Sequence, residues 1–343
     1  MQKQKNPVYQ NRALSLWLFT VTGFVVLMVL IGGLTRLTDS GLSITEWQPL
    51  SGALPPLSAS DWMIAFEKYK AIPEFKLINQ DFTLAEFKYI YWWEWGHRQL
   101  GRVIGLVFFI PFMFFLVSRQ IPKGYLVPLT GLFLLGGLQG FIGWYMVQSG
   151  LVDRVDVSQY RLAMHLGMAL FILSLSLWLA LTLWRGSNLT PQSGPSVAFA
   201  GFLVGLVFMQ SLMGALVAGM DAGKTYTDWP FMDGDLLPSG LLAMEPVSRN
   251  FFENYLTVQF DHRIGAYLLL ALVLGHAVLQ WRQNSPARLS AVLLAVAVAG
   301  QGVLGIVALM LAVPIALGAM HQLGAVAVLI LSIYHLHRLR FIT

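Results

Sequence analysis

Eight stretches of about 20 mainly apolar residues run through the chain, and that is the length a helix needs to cross roughly 30 Å of hydrocarbon. They cover 15–34, 97–118, 126–147, 162–184, 197–219, 259–280, 289–311 and 317–334. Backbone in lipid must satisfy its polar groups internally, so runs of this kind are helices. The predicted fold is an all-α integral membrane protein with eight transmembrane helices. Composition agrees: 56% of residues are hydrophobic and 11% charged, against about 25% charged in soluble domains, which excludes a water-soluble enzyme. The first run follows Lys3, Lys5 and Arg12 but has no small-residue cleavage site and exceeds a signal peptide's apolar core, so it reads as a retained helix.

Eight spans put both termini on one side with the segments 119–125, 185–196 and 281–288. That side carries ten Lys and Arg and no Asp or Glu, whereas all 17 acids fall at or beyond the other face. The positive-inside rule makes the acid-free side cytoplasmic. The net charge of +5 is then a topology signal, and no basic run with interleaved aromatics points to nucleic acid. Two long loops, 35–96 and 220–258, lie outside. Their aromatic residues, as in Asp61-Trp62-Met63-Ile64-Ala65-Phe66 and Arg249-Asn250-Phe251-Phe252, predict short amphipathic helices over the outer face, with disordered loops as the alternative.

An internal repeat spans the chain. Gly32-Gly33-Leu34, Asp39, Gly41, Thr45, Glu46, Trp47 and Gly52 recur as Gly214-Ala215-Leu216, Asp221, Gly223, Thr227, Asp228, Trp229 and Gly234, at a constant offset of 182. Further on, His97-Arg98 matches His262-Arg263, Gln139-Gly140-x-x-Gly143 matches Gln301-Gly302-x-x-Gly305, and His165 approximates His321. Each unit has four helices, which makes the units parallel in the membrane and disfavours an inverted-repeat transporter. The expected organisation is a four-helix bundle over 1–184, a cytoplasmic linker over 185–196 and a second bundle over 197–343, related by a pseudo-twofold axis.

The repeat also sorts the histidines. His97 and His262 open the second helix of their units, and His165 and His321 lie near the start of the fourth, so each pair can meet at similar depth. Two histidines on facing helices suit the axial positions of one haem. Zinc is the competing metal, but two ligands leave its tetrahedron underfilled, and the chain has no cysteine to complete it. Of the other histidines, His276 reads as packing or a backbone hydrogen bond, and His335 and His337 as facing headgroups beside Arg338 and Arg340.

The halves differ at one telling position. Glu94 lies a helical turn before His97, and Gln259 stands before His262. A carboxylate can exchange protons or stabilise positive charge, and an amide can do neither. Glu94 marks the first half as reactive, unless it only pairs with Arg98 or Arg102. Arg98 and Arg263, with Arg36, Arg161 and Lys224 on the same side, are candidate partners for haem propionates.

The set Glu94-x-x-His97-Arg98, Gln139-Gly140-x-x-Gly143, His165, Asp261-His262-Arg263-x-Gly265, Gln301-Gly302-x-x-Gly305 and His321-Gln322 resembles the haem A synthase family over nearly the whole chain. It is similar to the branch without a cysteine pair in the first external loop, and segment 41–56 agrees. The resemblance implies oxidation of the C8 methyl of haem O to a formyl through a hydroxymethyl intermediate, giving haem A for a terminal cytochrome oxidase. It further implies that His262 and His321 ligate a resident haem b, that His97 and His165 flank the substrate haem, and that Glu94 is essential. Two ligands on iron leave no place for O₂, which fits removal of electrons with water as oxygen source, although one ligand can dissociate first. Expected partners are the bilayer and a haem O synthase that delivers substrate; the electron acceptor is not legible, and a homo-oligomer stays open. The rivals are a bis-histidine b-type cytochrome relaying electrons from quinol, and a transporter of parallel repeats.

Overall fold

The computed structural model describes residues 7–186 and 190–341. Lys3 and Lys5 of the basic N-terminus, and 187–189 of the expected linker, lie outside those residues. Eleven α-helices occur among the described residues: α1 (Pro7–Leu37), α2 (Ala59–Lys70), α3 (Pro73–Leu77), α4 (Leu84–Val117), α5 (Leu126–Gln148), α6 (Gln159–Arg185), α7 (Pro195–Gly219), α8 (Asn250–Glu253), α9 (Tyr255–Arg282), α10 (Arg288–Met310) and α11 (Ile315–Arg340). All but α2, α3 and α8 are long and apolar enough to span a membrane, and these eight match the eight runs in the sequence.

Four of the spans form the centre. α1 packs on α6 and α11, and α7 packs on the same two; α6 also touches α11. α4 and α5 lean on α1 and α6, while α9 and α10 lean on α7 and α11. Buried Leu14, Leu18, Val21, Val25 and Val29 make one stripe of α1 at helical spacing, and it meets Leu173, Leu177 and Ala180 of α6 and Val326, Leu329 and Ile333 of α11 in one apolar cluster. Helices in lipid gain little from apolar burial alone, so close backbone approach and interhelical polar contacts matter more. Gly33 is such an approach: a Cβ there would lie 1.8 Å from Gln322 Oε1 of α11. The Gln322 amide donates to the Val29 carbonyl of α1 at 2.7 Å.

The first long loop is ordered by its own aromatic core. Ser58 and Asp61 form a capping box that starts α2, and Thr83 and Glu86 form another that starts α4. Trp62, Phe66 and Tyr69 of α2 then bury against Phe87 and Tyr91 of α4. Trp62, Phe66 and Tyr69 are therefore covered by protein, while Met63 and Ile64 of α2 stay exposed. α4 also begins thirteen residues before the expected 97, so His97 lies well inside a helix that rises out of the span. In the second long loop the only described α-helix is the single turn of α8, whose Asn250 donates to the Met244 and Val247 carbonyls.

Candidate functional site

Each of the four repeat-matched histidines rests on a glycine of a neighbouring helix. A Cβ on Gly32 would stand 3.0 Å from His97 Nε2, and one on Gly143 2.8 Å from His165 Cε1. A Cβ on Gly214 would stand 3.2 Å from His262 Cε1, and one on Gly305 2.7 Å from His321 Cε1. The rings occupy space that any other residue would fill, which explains Gly at these positions. The His262 and His321 rings have centroids 6.5 Å apart and planes at 82°.

A glutamine one turn before the glycine holds three of the rings. Gln210 donates to the His262 carbonyl at 2.8 Å and meets His262 Nδ1 at 3.0 Å. Gln301 does the same to His321, at 2.7 Å and 3.0 Å. Gln139 donates to the His165 carbonyl at 3.0 Å but approaches the ring only to 3.5 Å, at Nε2. Gln210 escaped the sequence reading, although Gln210-x-x-x-Gly214 repeats the spacing of Gln139-x-x-x-Gly143 and Gln301-x-x-x-Gly305.

Glu94 and Gln259 occupy matching positions with opposite hydrogen-bonding character. Glu94, 3% exposed, accepts from the Ile44 N–H at 2.7 Å and the Ser43 hydroxyl at 2.8 Å through Oε2. Its Oε1 accepts from Arg98 Nε at 3.0 Å and Nη2 at 2.6 Å. Gln259 instead donates to the Ala222 and Tyr226 carbonyls and accepts from Arg263 at 3.1 Å. The ion pair weighed for Glu94 in the sequence is thus present, with two further donors from the loop.

Arg98 and Arg263 act as loop latches. Arg98 donates to the Ile44 and Glu46 carbonyls at 2.7 and 2.8 Å. Arg263 donates to those of Tyr226, Asp228 and Phe231 at 2.9 to 3.0 Å. Arg102 holds the Gln48 and Pro49 carbonyls. Arg36 pairs with Asp39 at 2.8 Å and Asp221 at 2.7 Å, tying the end of α1 to the end of α7. Burial alone would push the Asp221 carboxyl up, but Arg36 and Lys224 together hold it below the usual carboxylate range. Arg161 donates to the Tyr145 carbonyl at 2.6 Å.

The remaining histidines differ from expectation. His335 and His337 are 0% and 1% exposed, because α11 runs on past 334 and keeps both inside the helix packing. His276 Nε2 meets His335 Nε2 at 2.9 Å, and His335 Nδ1 meets the Ser290 hydroxyl at 2.8 Å. The partner expected for His276 among backbone groups is thus another histidine, and His337 meets Thr182.

Eight spans, two loops latched by arginine, and four partly buried histidines seated on glycine define a polytopic membrane protein with two histidine-lined sites. The family described as "Cytochrome oxidase assembly protein" (COX15-CtaA) matches residues 15–333. A protein of Parvibaculum lavamentivorans named Heme A synthase is 50% identical over 330 residues, covering 96% of this chain and 95% of that one. Proteins of the same name from Azorhizobium caulinodans and Dinoroseobacter shibae are 50% and 51% identical, over 94% and 96% of this chain and 93% and 88% of theirs. The chain belongs to the COX15-CtaA family.

Proposed function

We propose that this chain is a haem A synthase, a membrane oxidoreductase that converts the C8 methyl of haem O to the formyl of haem A. The observation that carries the reading is the near-complete match to proteins of that name together with two histidine pairs on glycine seats. The residues 1–184 and 197–343 act as two duplicated bundles about a pseudo-twofold axis, joined by 185–196. The first takes the substrate haem between His97 and His165, and the second keeps a resident haem b on His262 and His321.

The second pair fits such a group. A ligating imidazole nitrogen lies about 2 Å from its metal, so two rings facing across one ion have centroids about 6 Å apart, close to the 6.5 Å found. A ligating histidine also donates its other N–H to a neighbour. The Gln301 amide stands at His321 Nδ1, 3.0 Å away through Nε2, and its Oε1 is buried without a partner, so turning the amide over would give that proton an acceptor. Among the described residues no three His, Asp or Glu groups converge, so a three-ligand zinc site has no support. A haem on His262 and His321 supplies a one-electron carrier inside the membrane.

With water as the oxygen source, the reading that two protein ligands on the iron favour, the methyl and one water become the formyl with release of four electrons and four protons, the electrons passing to an oxidant outside this chain. Glu94 handles a proton at its carboxylate, one turn from His97, and Gln259 cannot. Arg98 and Arg263 keep the loops closed over the two sites and thereby limit water; their free donor capacity serves the propionates. Both termini lie in the cytoplasm and the loops face outward, in the bacterial inner membrane, where a haem O synthase delivers substrate.

Extraction of haem from cells that also produce a haem O synthase tests the activity. The expected product is haem A. Recovery of only haem b and unmodified haem O would refute the proposal and favour an electron relay.

A further inference from the structure

Three of the four histidines are held by glutamine, and the fourth is not. The offset of 182 that carries Gly214 to Gly32 carries Gln210 to Met28, so α1 has Met-x-x-x-Gly where three other helices have Gln-x-x-x-Gly. Met28 occupies the expected place: a Cβ on Gly101, one turn after His97 on α4, would lie 3.3 Å from its Cε. The corresponding amide of Gln210 lies against Gly265, a turn after His262, with Oε1 2.4 Å from a Cβ built there. A thioether offers neither the N–H nor the oxygen with which an amide can hold a ring nitrogen in either tautomer, and among the described residues the His97 ring makes no hydrogen bond.

The four rings form a gradation. His262 and His321 have amides at 3.0 Å, and His165 has one at 3.5 Å. His97 has the Gly32 seat alone. A resident group gains from ligands fixed by a neighbouring hydrogen bond. A substrate that must enter and leave needs at least one ligand that gives way, and an unanchored ring turns away at lower cost than an anchored one.

We propose that Met28 is a positioning residue that makes His97 the yielding ligand of the first pair, so that this site exchanges its haem while the second retains one. This rests on the reading that His97 and His165 flank the substrate haem. Met and Gln are nearly equal in length, so Met28→Gln introduces the amide and leaves the packing volume almost unchanged.

The test is carbon monoxide binding to the purified, dithionite-reduced full-length protein, co-produced with a haem O synthase so that both sites fill. Carbon monoxide takes an iron position only where a protein ligand yields. In the unaltered protein the carbon monoxide complex should involve the first-half haem. Met28→Gln should weaken that binding about fivefold, the factor one ordinary hydrogen bond supplies, at equal haem content. Gln210→Met should make the resident haem reactive. Unchanged binding in Met28→Gln, or an inert resident haem in Gln210→Met, overturns the proposal; should the first variant fail to assemble, the second decides alone. If His97→Ala and His165→Ala both leave the haem spectrum and content unaltered, the first-half site itself falls, and that result is distinct from a failure of Met28 alone.

Discussion

Replacing Glu94 by glutamine leaves the side-chain volume almost unchanged and yet should have a large effect. All four contacts of the carboxylate are donors: Ile44 N–H, Ser43 O–H and two guanidinium nitrogens of Arg98. Glutamine keeps one oxygen, and its NH₂ must face either the loop pair or the Arg98 pair. Facing Arg98, the NH₂ breaks two bonds that lie within α4; facing the loop, it loses the Ile44 N–H, while the Ser43 hydroxyl can turn to accept from it. In the second case the loop's attachment to α4 weakens by about 1.5–3 kcal/mol for the Ile44 bond, and further because the Ser43 bond loses its charged partner. That is a sizeable share of the stability of many domains, about 5–15 kcal/mol. The weakened bonds to the loop join only 43–44 and α4, so the expected result is local release of 41–56 and not unfolding of the spans.

Hydrogen exchange over 41–56 and chromatography of extracted haem, measured on the same preparation, read the two consequences apart. Glu94→Gln should speed exchange there, retain haem in the second half and yield no formyl product. Ser43→Ala, which removes one contact and leaves the carboxylate, should speed exchange to a smaller degree and still form product. Normal product from Glu94→Gln would refute a role in proton handling. Equal loss of product in Ser43→Ala would assign the effect to the loop and refute it as well.

Alanine at His262 or His321 should abolish or severely alter the low-spin haem spectrum of the purified protein, and an unaltered spectrum would remove the second-half site. Burial, with Asp39, Glu94 and Asp156 nearby, pushes the Glu74 carboxyl of α3 up to about 8. A raised carboxyl favours the folded loop fully below its ordinary value of 4.5 and loses that contribution as pH rises through 8. Glu74→Gln should therefore flatten the pH dependence of protease resistance across the first loop and raise that resistance at pH 8. Gly33→Ala should displace Gln322 and cost about 1–3 kcal/mol in detergent thermal unfolding, with a smaller loss when Gln322→Ala is added. Reporter fusions after 118, 186 and 341 should be active only for a cytoplasmic reporter; activity of an exported one would invert the topology.

Much of the frame was legible because lipid imposes one length and one polarity on a span. The eight runs needed no tertiary information, and the matched histidines followed from the order of motifs that the two halves share. The start of α4 was missed because 84–96 mixes aromatics with Glu86, Lys88 and Glu94, a pattern that hydropathy alone ends at the membrane edge. Its capping box, Thr83-x-x-Glu86, was the available signal. Burial of His335 and His337 was missed because neighbouring arginines suggested an exposed helix end. The pairing of His276 with His335, 59 residues apart, depends on which faces of α9 and α11 meet, and no spacing in one chain reveals that. Gln210 was within reach, since its distance from Gly214 equals two spacings already noticed.

The contact of Gln322 with α1 sets a ruler between the two halves. Gln322 follows His321 directly, its amide grips Val29, and Gly33 adjoins the Gly32 seat of His97. One amide and one missing methyl thus lock the helix that carries His321 to the helix that seats His97. If, as proposed, one half holds the substrate and the other the carrier, the register of these two helices sets the gap that electrons cross.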